Sequence, residues 1–176
     1  MSIGLKQGTV QIVEYQPEWK VEFTKERKNL QKVLGKLALE IHHIGSTSVP
    51  ELDAKPIIDI LVVSNSLKRD VFDKRLNSIG YIFRANPQRK GRLFYAKGPE
   101  ERRTHYLHIA EKDTFQAKIQ LMFRDYLRTH KQARVDYAKY KNQLAKQYPE
   151  DRMEYTAQKS TFIGKILFKL LSQEMD

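Results

Sequence analysis

Gly45, Ser46, Thr47 and Ser48 stand together, and Asp59 follows within the apolar run Ile57-Ile58-Asp59-Ile60-Leu61-Val62-Val63. A glycine lets backbone come close to a ligand, and hydroxyls with the following amides suit a phosphate. The same four residues also make an ordinary polar turn. A carboxylate inside an apolar strand is costly unless it is paired, hydrogen-bonded or metal-bound. Two partners are open to Asp59: Lys55, as a structural counter-ion, or Mg²⁺, the hard ion that polyphosphates carry. Turn and carboxylate together predict a site for a nucleotide or another phosphorylated small molecule. In that reading Mg²⁺ is the cofactor and Asp59 is both its ligand and the catalytic group. Gly45, Ser46, Thr47 and Ser48 contact the ligand, and Lys55 and Arg92 offset its charge.

Histidines flank these residues. His42 and His43 adjoin the turn, while His105 and His108 fall on a later predicted strand. Strand side chains alternate, so His105 and His108 point to opposite faces. One suits the core and one the site, and a phosphate contact stays open for both. Arg124 and Asp125 suit a surface pair or a brace for the strand ends. Tyr155 and Lys159, four apart on a predicted helix, suit a solvated face. No Walker A loop, G-x-G-x-x-G, G-x-S-x-G or H-E-x-x-H occurs, so serine nucleophile and zinc hydrolase chemistry lack support.

The elements that must position these groups are legible as patterns. Pro17 and Glu18 suit a helix start, and Phe23, Leu30, Val33, Leu34 and Leu37 make its apolar stripe. Leu39 to Ile44 reads as a strand, and Ile57 to Val63 as a buried central one. Ser66 is placed to cap a helix with Leu67, Val71, Phe72 and Leu76, which Gly80 ends. Tyr81 to Phe83, Arg92 to Ala96 and His105 to Ile109 read as strands, with turns at Asn86-Pro87 and Gly98-Pro99. Asp113 with Gln116 predicts a capped helix carrying Phe115, Ile119, Met122, Phe123, Tyr126 and Leu127. A second helix carries Ala133, Tyr137, Tyr140 and Leu144. A third starts near Pro149 and carries Phe162, Ile163, Ile166, Leu167, Leu170 and Leu171. The expectation is one α+β domain over residues 1–176, with a mixed sheet flanked by helices and a helical C-terminal segment.

The 176 residues can bury a core without staples, and there is no cysteine for disulfides or thiolate zinc sites. No apolar run approaches a membrane span and no signal-peptide core is visible, so a cytoplasmic location is expected, with no membrane partner. The net charge of +11 favours anionic partners, RNA among them, although no RNA-recognition motif supports that choice. Arg84 to Arg103 holds seven basic residues against Glu100 and Glu101, which predicts a basic hairpin bordering the cleft.

Ile44-Gly45-Ser46-Thr47-Ser48-Val49-Pro50, with Ala54-Lys55-Pro56-Ile57-Ile58-Asp59-Ile60, resembles the signature of GrpB proteins. Phe123-Arg124-Asp125-Tyr126-Leu127-Arg128-Thr129-His130, Glu14-Tyr15-Gln16-Pro17-Glu18-Trp19 and the His105-Tyr106-Leu107-His108 segment match it too. The resemblance implies a nucleotidyltransferase-like fold, in which a Gly-Ser turn precedes a strand bearing two metal-binding carboxylates. Carried over, Gly45 and Ser46 are the turn and Asp59 the first carboxylate; the second position is Leu61. Glu111 and Glu51 are the candidate acidic replacements. This chain also has His42 where the family pattern has glutamate. The resemblance implies either nucleotidyl transfer to an unknown acceptor or a nucleotide-binding or accessory protein without chemistry.

Overall fold

A computed structural model describes residues 3–85 and 91–173. Helix α1 (Glu18–Leu34) is followed by β1 (Glu40–Ile44), β2 (Ile58–Ser64), α2 (Arg69–Asn77), β3 (Tyr81–Phe83), β4 (Arg92–Lys97) and β5 (His105–Glu111). Three helices close the chain: α3 (Phe115–Thr129), α4 (Lys131–Gln147) and α5 (Arg152–Gln173). The strands form one mixed sheet in the order β1-β2-β5-β4-β3, with β2 and β5 parallel and the other pairs antiparallel.

The sheet separates two helical layers. On one face Ile58, Ile60 and Val62 pack with Leu107 and Ile109 against Trp19, Leu30 and Leu34 of α1 and Phe72 and Leu76 of α2. On the other, Leu61, Val63 and Ala110 lie beneath Ala117 of α3. Burying one such aliphatic side chain stabilises by about 1.5–3 kcal/mol, and this face-by-face alternation fixes the register. Val49, Leu52, Leu127 and Tyr137 join the Ser46–Ser48 turn to α3 and α4. Val10, Leu144 and Tyr155 join the N-terminal segment to α4 and α5.

Several local expectations are corrected. Ser66 does not cap α2, which begins at Arg69; its hydroxyl accepts from the Lys68 amide at 3.1 Å. Asp113 does not cap α3 but sits in a left-handed turn (φ 61°), and Thr114 precedes the helix with its hydroxyl donating to the Glu111 carbonyl. Phe115 is exposed rather than part of the buried stripe, which Ala117 and Leu127 anchor instead. The Asn86-Pro87 turn lies outside the described residues.

Candidate phosphate-binding cleft

Strand register brings the turn to the carboxylate. Ile44, the last residue of β1, pairs with Asp59 of β2, so the chain leaves the sheet beside that side chain. At Gly45 the backbone has φ 68° and ψ −176°, a region open essentially to glycine. A Cβ there would stand 2.6 Å from Asp59 Oδ2. Glycine is thus required by Asp59 as well as by the backbone. One turn of 3₁₀-helix over Ser46–Ser48 follows.

The three hydroxyls have different employments. Ser48 Oγ donates to the Gly45 carbonyl at 2.6 Å. Thr47 donates to the Ile57 carbonyl at 3.3 Å, so its oxygen must accept from His43 Nε2 at 3.0 Å. His43 also stacks on Phe23 with ring centroids 4.7 Å apart. Burial pushes its imidazole down to about 3, against the pull of Asp59, so it is a neutral strut. Ser46 Oγ receives Lys141 Nζ at 3.0 Å. The turn is braced from outside by α3: Arg124 Nη1 donates to the His43 carbonyl at 3.1 Å, and Arg128 donates twice to the Ser48 carbonyl, at 3.1 and 2.7 Å. Arg124 also grips the Asp125 carboxylate. Arg124 therefore braces a strand end.

Ser46 and Asp59 open into one cleft of about 370 Å³ between the sheet and α3, α4 and α5. Asp59 is half-buried at its edge rather than sealed in the core. Burial alone would raise its pKa. His108, with Nε2 3.8 Å from Oδ1, together with the charges of Lys159 and Lys55, overcomes this and holds the carboxyl below its ordinary range. Around this carboxylate stand Lys55, Arg92, Arg152 and Lys159. Tyr155, fully buried, holds two of them: Lys55 Nζ lies 5.0 Å and Lys159 Nζ 5.6 Å from its ring centroid. Arg152 lies over Tyr106 at 4.9 Å.

Lys141 completes the cleft from α4. It is 1% exposed and also donates to the Asp53 carbonyl. Burial first, then the neighbouring charges of Lys159 and Lys55, drives its ammonium well below the ordinary lysine range. The sequence carried the signal: Tyr137, Lys141 and Leu144 fall at i, i+4 and i+7, so a lysine sits within the apolar stripe. Tyr140, expected in that stripe, is only half-buried, and Lys141 takes the buried position. Tyr155 and Lys159 are likewise corrected, since they line the cleft instead of a solvated face.

Ser48, buried with its hydroxyl on the Gly45 carbonyl, is not among the residues that line the cleft; of the others singled out from sequence, Thr47, Lys55, Arg92 and His108 line it. His105 does not. It lies on the opposite face of β5, where its ring meets Tyr81 edge-on, and burial pushes it down to about 4. The basic segment does not form one patch. Lys97 points to the other face and pairs with buried Glu26 at 2.8 Å. Arg103 is buried against Gln7 and the Gly98 carbonyl, and Arg102 donates to the Ile3 carbonyl. Arg89 and Lys90 lie outside the described residues. Only Arg92 of the described basic residues in that segment lines the cleft.

The residues present do not fit a resident pair of divalent ions. Leu61, at the second-carboxylate position, is fully buried beneath α3. Glu111 pairs with Ser64 at the far end of β2, five positions beyond Asp59, or about 16 Å along a strand. Glu51 is held by Arg134 at 2.7 Å. Among the described residues no group of three His, Asp or Glu could hold a metal ion. Also among them, no helix is long and apolar enough to cross a membrane.

The comparisons agree with this geometry at the level of fold. A family model described as GrpB protein matches residues 9–169. The UPF0157 protein YqkA of Bacillus subtilis (strain 168) is 37% identical over 155 residues, covering 88% of this chain and 45% of that protein, so the chain spans less than half that relative's length. The crystal structure of conserved protein GrpB from Enterococcus faecalis matches with a TM-score of 0.84 at 37% identity, covering 94% of this chain and all of that one. Cid1 poly(U) polymerase, with MgGTP bound, matches with a TM-score of 0.52 at 13% identity, over 77% of this chain and 44% of that one. At that identity the likeness is one of fold: the sheet and its helices are nucleotidyltransferase-like.

Proposed function

This chain belongs to the GrpB family, and we propose that its cleft binds the phosphate groups of a phosphorylated small molecule, with a nucleotide as the leading class. The observation that carries the reading is the charge of the walls. Lys55, Arg92, Arg152 and Lys159 surround a space whose one carboxylate, among the described residues, is Asp59. Cations gathered at low dielectric repel one another, and an anion relieves that repulsion. Lysines serve as point charges and arginines add a planar fork for phosphate oxygens. Ser46 offers a hydroxyl beside them, and Phe94 and Tyr106 supply flat apolar area on the sheet side.

Nucleotidyl transfer lacks comparable support, because buried Leu61 leaves Asp59 without the partner carboxylate that two-metal chemistry uses. Mg²⁺ enters this reading only as an ion carried in by a polyphosphate, with Asp59 as its one protein oxygen. A thermal-shift titration tests the proposal. At a hundredfold excess over Kd, AMP or ATP should raise the melting temperature by about 5–10 °C. Lys55→Ala and Lys159→Ala should each reduce that shift. No shift with any nucleotide or with inorganic pyrophosphate would refute the reading.

A further inference from the structure

Beside the cleft, on the same face of the sheet, lies a second hollow of about 980 Å³. The two share Phe94, Tyr106, Arg152, Thr156 and Ser160, so they form one continuous groove. Arg84 lines the second hollow. The amide of Arg84 donates to the Phe94 carbonyl at 2.9 Å, which continues the β3–β4 ladder by one residue. Arg84 is therefore opposite Phe94 and diagonal to Arg92, a relation that puts strand residues about 7–8 Å apart. Arg92 lines the inner cleft and Arg84 the outer hollow, so the pair marks their junction.

Both arginines have a buried Nε that finds no acceptor among the described residues. A guanidinium N–H taken out of water without a partner is costly, and an anion oxygen at the junction would satisfy it. Arg103, in the same hollow, has its donors engaged by Gln7 and Gly98 and holds the fold. Next to the arginine pair, Phe94 and Tyr106 stand 5.4 Å apart, with the Arg152 plane over Tyr106. Aromatic and guanidinium planes beside cations are what a base linked to a phosphodiester stacks on.

We propose that the groove takes two linked nucleotide units, with the bridging phosphate between Arg84 and Arg92 and the second unit in the outer hollow. The proposal rests on the phosphate reading of the inner cleft and adds the length of the ligand. Two ribonucleotides joined by a phosphodiester occur as a free dinucleotide and as the end of a strand, and the groove reads the chemistry they share.

Calorimetric titration with AMP, with the 5′-phosphorylated dinucleotide pApA and with a ten-nucleotide oligoadenylate tests it. Wild type should bind pApA about tenfold more tightly than AMP. Arg84→Ala should erase that advantage and leave AMP affinity unchanged, with Arg84→Lys between the two and circular dichroism confirming both folds. Equal affinity of pApA and oligoadenylate assigns the groove to free dinucleotides, and tighter oligoadenylate binding assigns it to strand ends. Equal affinities for AMP and pApA in wild type, or an Arg84→Ala loss shared equally by AMP and pApA, would overturn the proposal while leaving the inner cleft standing. If AMP, pApA and oligoadenylate all fail to bind, this inference falls, and the thermal-shift titration with the other nucleotides and pyrophosphate decides the inner cleft separately.

Discussion

Gly45 carries two constraints at once, and a single methyl group tests both. Its backbone lies where other residues are strained by about 1–3 kcal/mol, and its missing Cβ leaves room for Asp59. Gly45→Ala should therefore lower stability by at least that strain, measured by urea denaturation; an unchanged midpoint would contradict the geometry. Two buried histidines make a second prediction at this scale. Burial holds His43 down to about 3 and His105 to about 4, whereas in the unfolded chain each titrates near 6.5. The unfolded state then binds more protons between those values, so stability rises with pH there. It is complete above about pH 6.5 and falls on acidification by up to about 1.4 kcal/mol per unit for each histidine. The fall continues to about pH 4 for His105 and about 3 for His43. Denaturation curves at pH 7.5, 6 and 5 read this directly, and coincident curves would show that the histidines are not buried neutral.

Helix α3 acts at a distance through Arg124 and Arg128, which hold the carbonyls of His43 and Ser48. Arg128→Ala should cost about 1–2 kcal/mol, less than a fully buried charged hydrogen bond because the side chain is 37% exposed. It should also weaken nucleotide binding, because the turn loses its outer support. A variant with unchanged nucleotide affinity would make the brace purely structural. These elements were largely legible. The β-branched run around Asp59 and the α1 stripe gave β2 and α1 because period and burial coincide in them. Parity separated His105 from His108, but parity cannot say which face carries the cleft. That depends on α3, α4 and α5 covering the Asp59 side, a long-range choice. Ser66 misled because its hydroxyl takes the Lys68 amide in a turn before the helix begins, and Asp113 because it occupies a left-handed turn position ahead of Thr114.

Across the molecule, the net charge of +11 matters less than where the cations go. The run from Arg84 to Arg103 reads as one patch along the chain, yet folding sends Arg92 to the cleft and Lys97 to Glu26, and engages Arg103 with backbone. The cleft instead draws Lys55 from the loop before β2, Lys141 from α4, and Arg152 and Lys159 from α5. Sequence spacing could not show that convergence, although a lysine in the α4 stripe was a visible hint. Binding that rests on these charges should weaken as salt rises from 0.05 to 0.5 M, because the Debye length contracts over that range. An affinity indifferent to salt would point to apolar recognition.

The most direct test is calorimetric titration of ATP, in EDTA and again in Mg²⁺, into wild type, Lys159→Ala and Asp59→Asn. If the cations hold the phosphates, wild type binds in EDTA and Lys159→Ala binds more weakly. Asp59→Asn then binds at least as tightly as wild type, since it removes the one anion that faces the ligand among the described residues. Binding that requires Mg²⁺ and vanishes in Asp59→Asn would contradict the account and return Asp59 to the role of metal ligand.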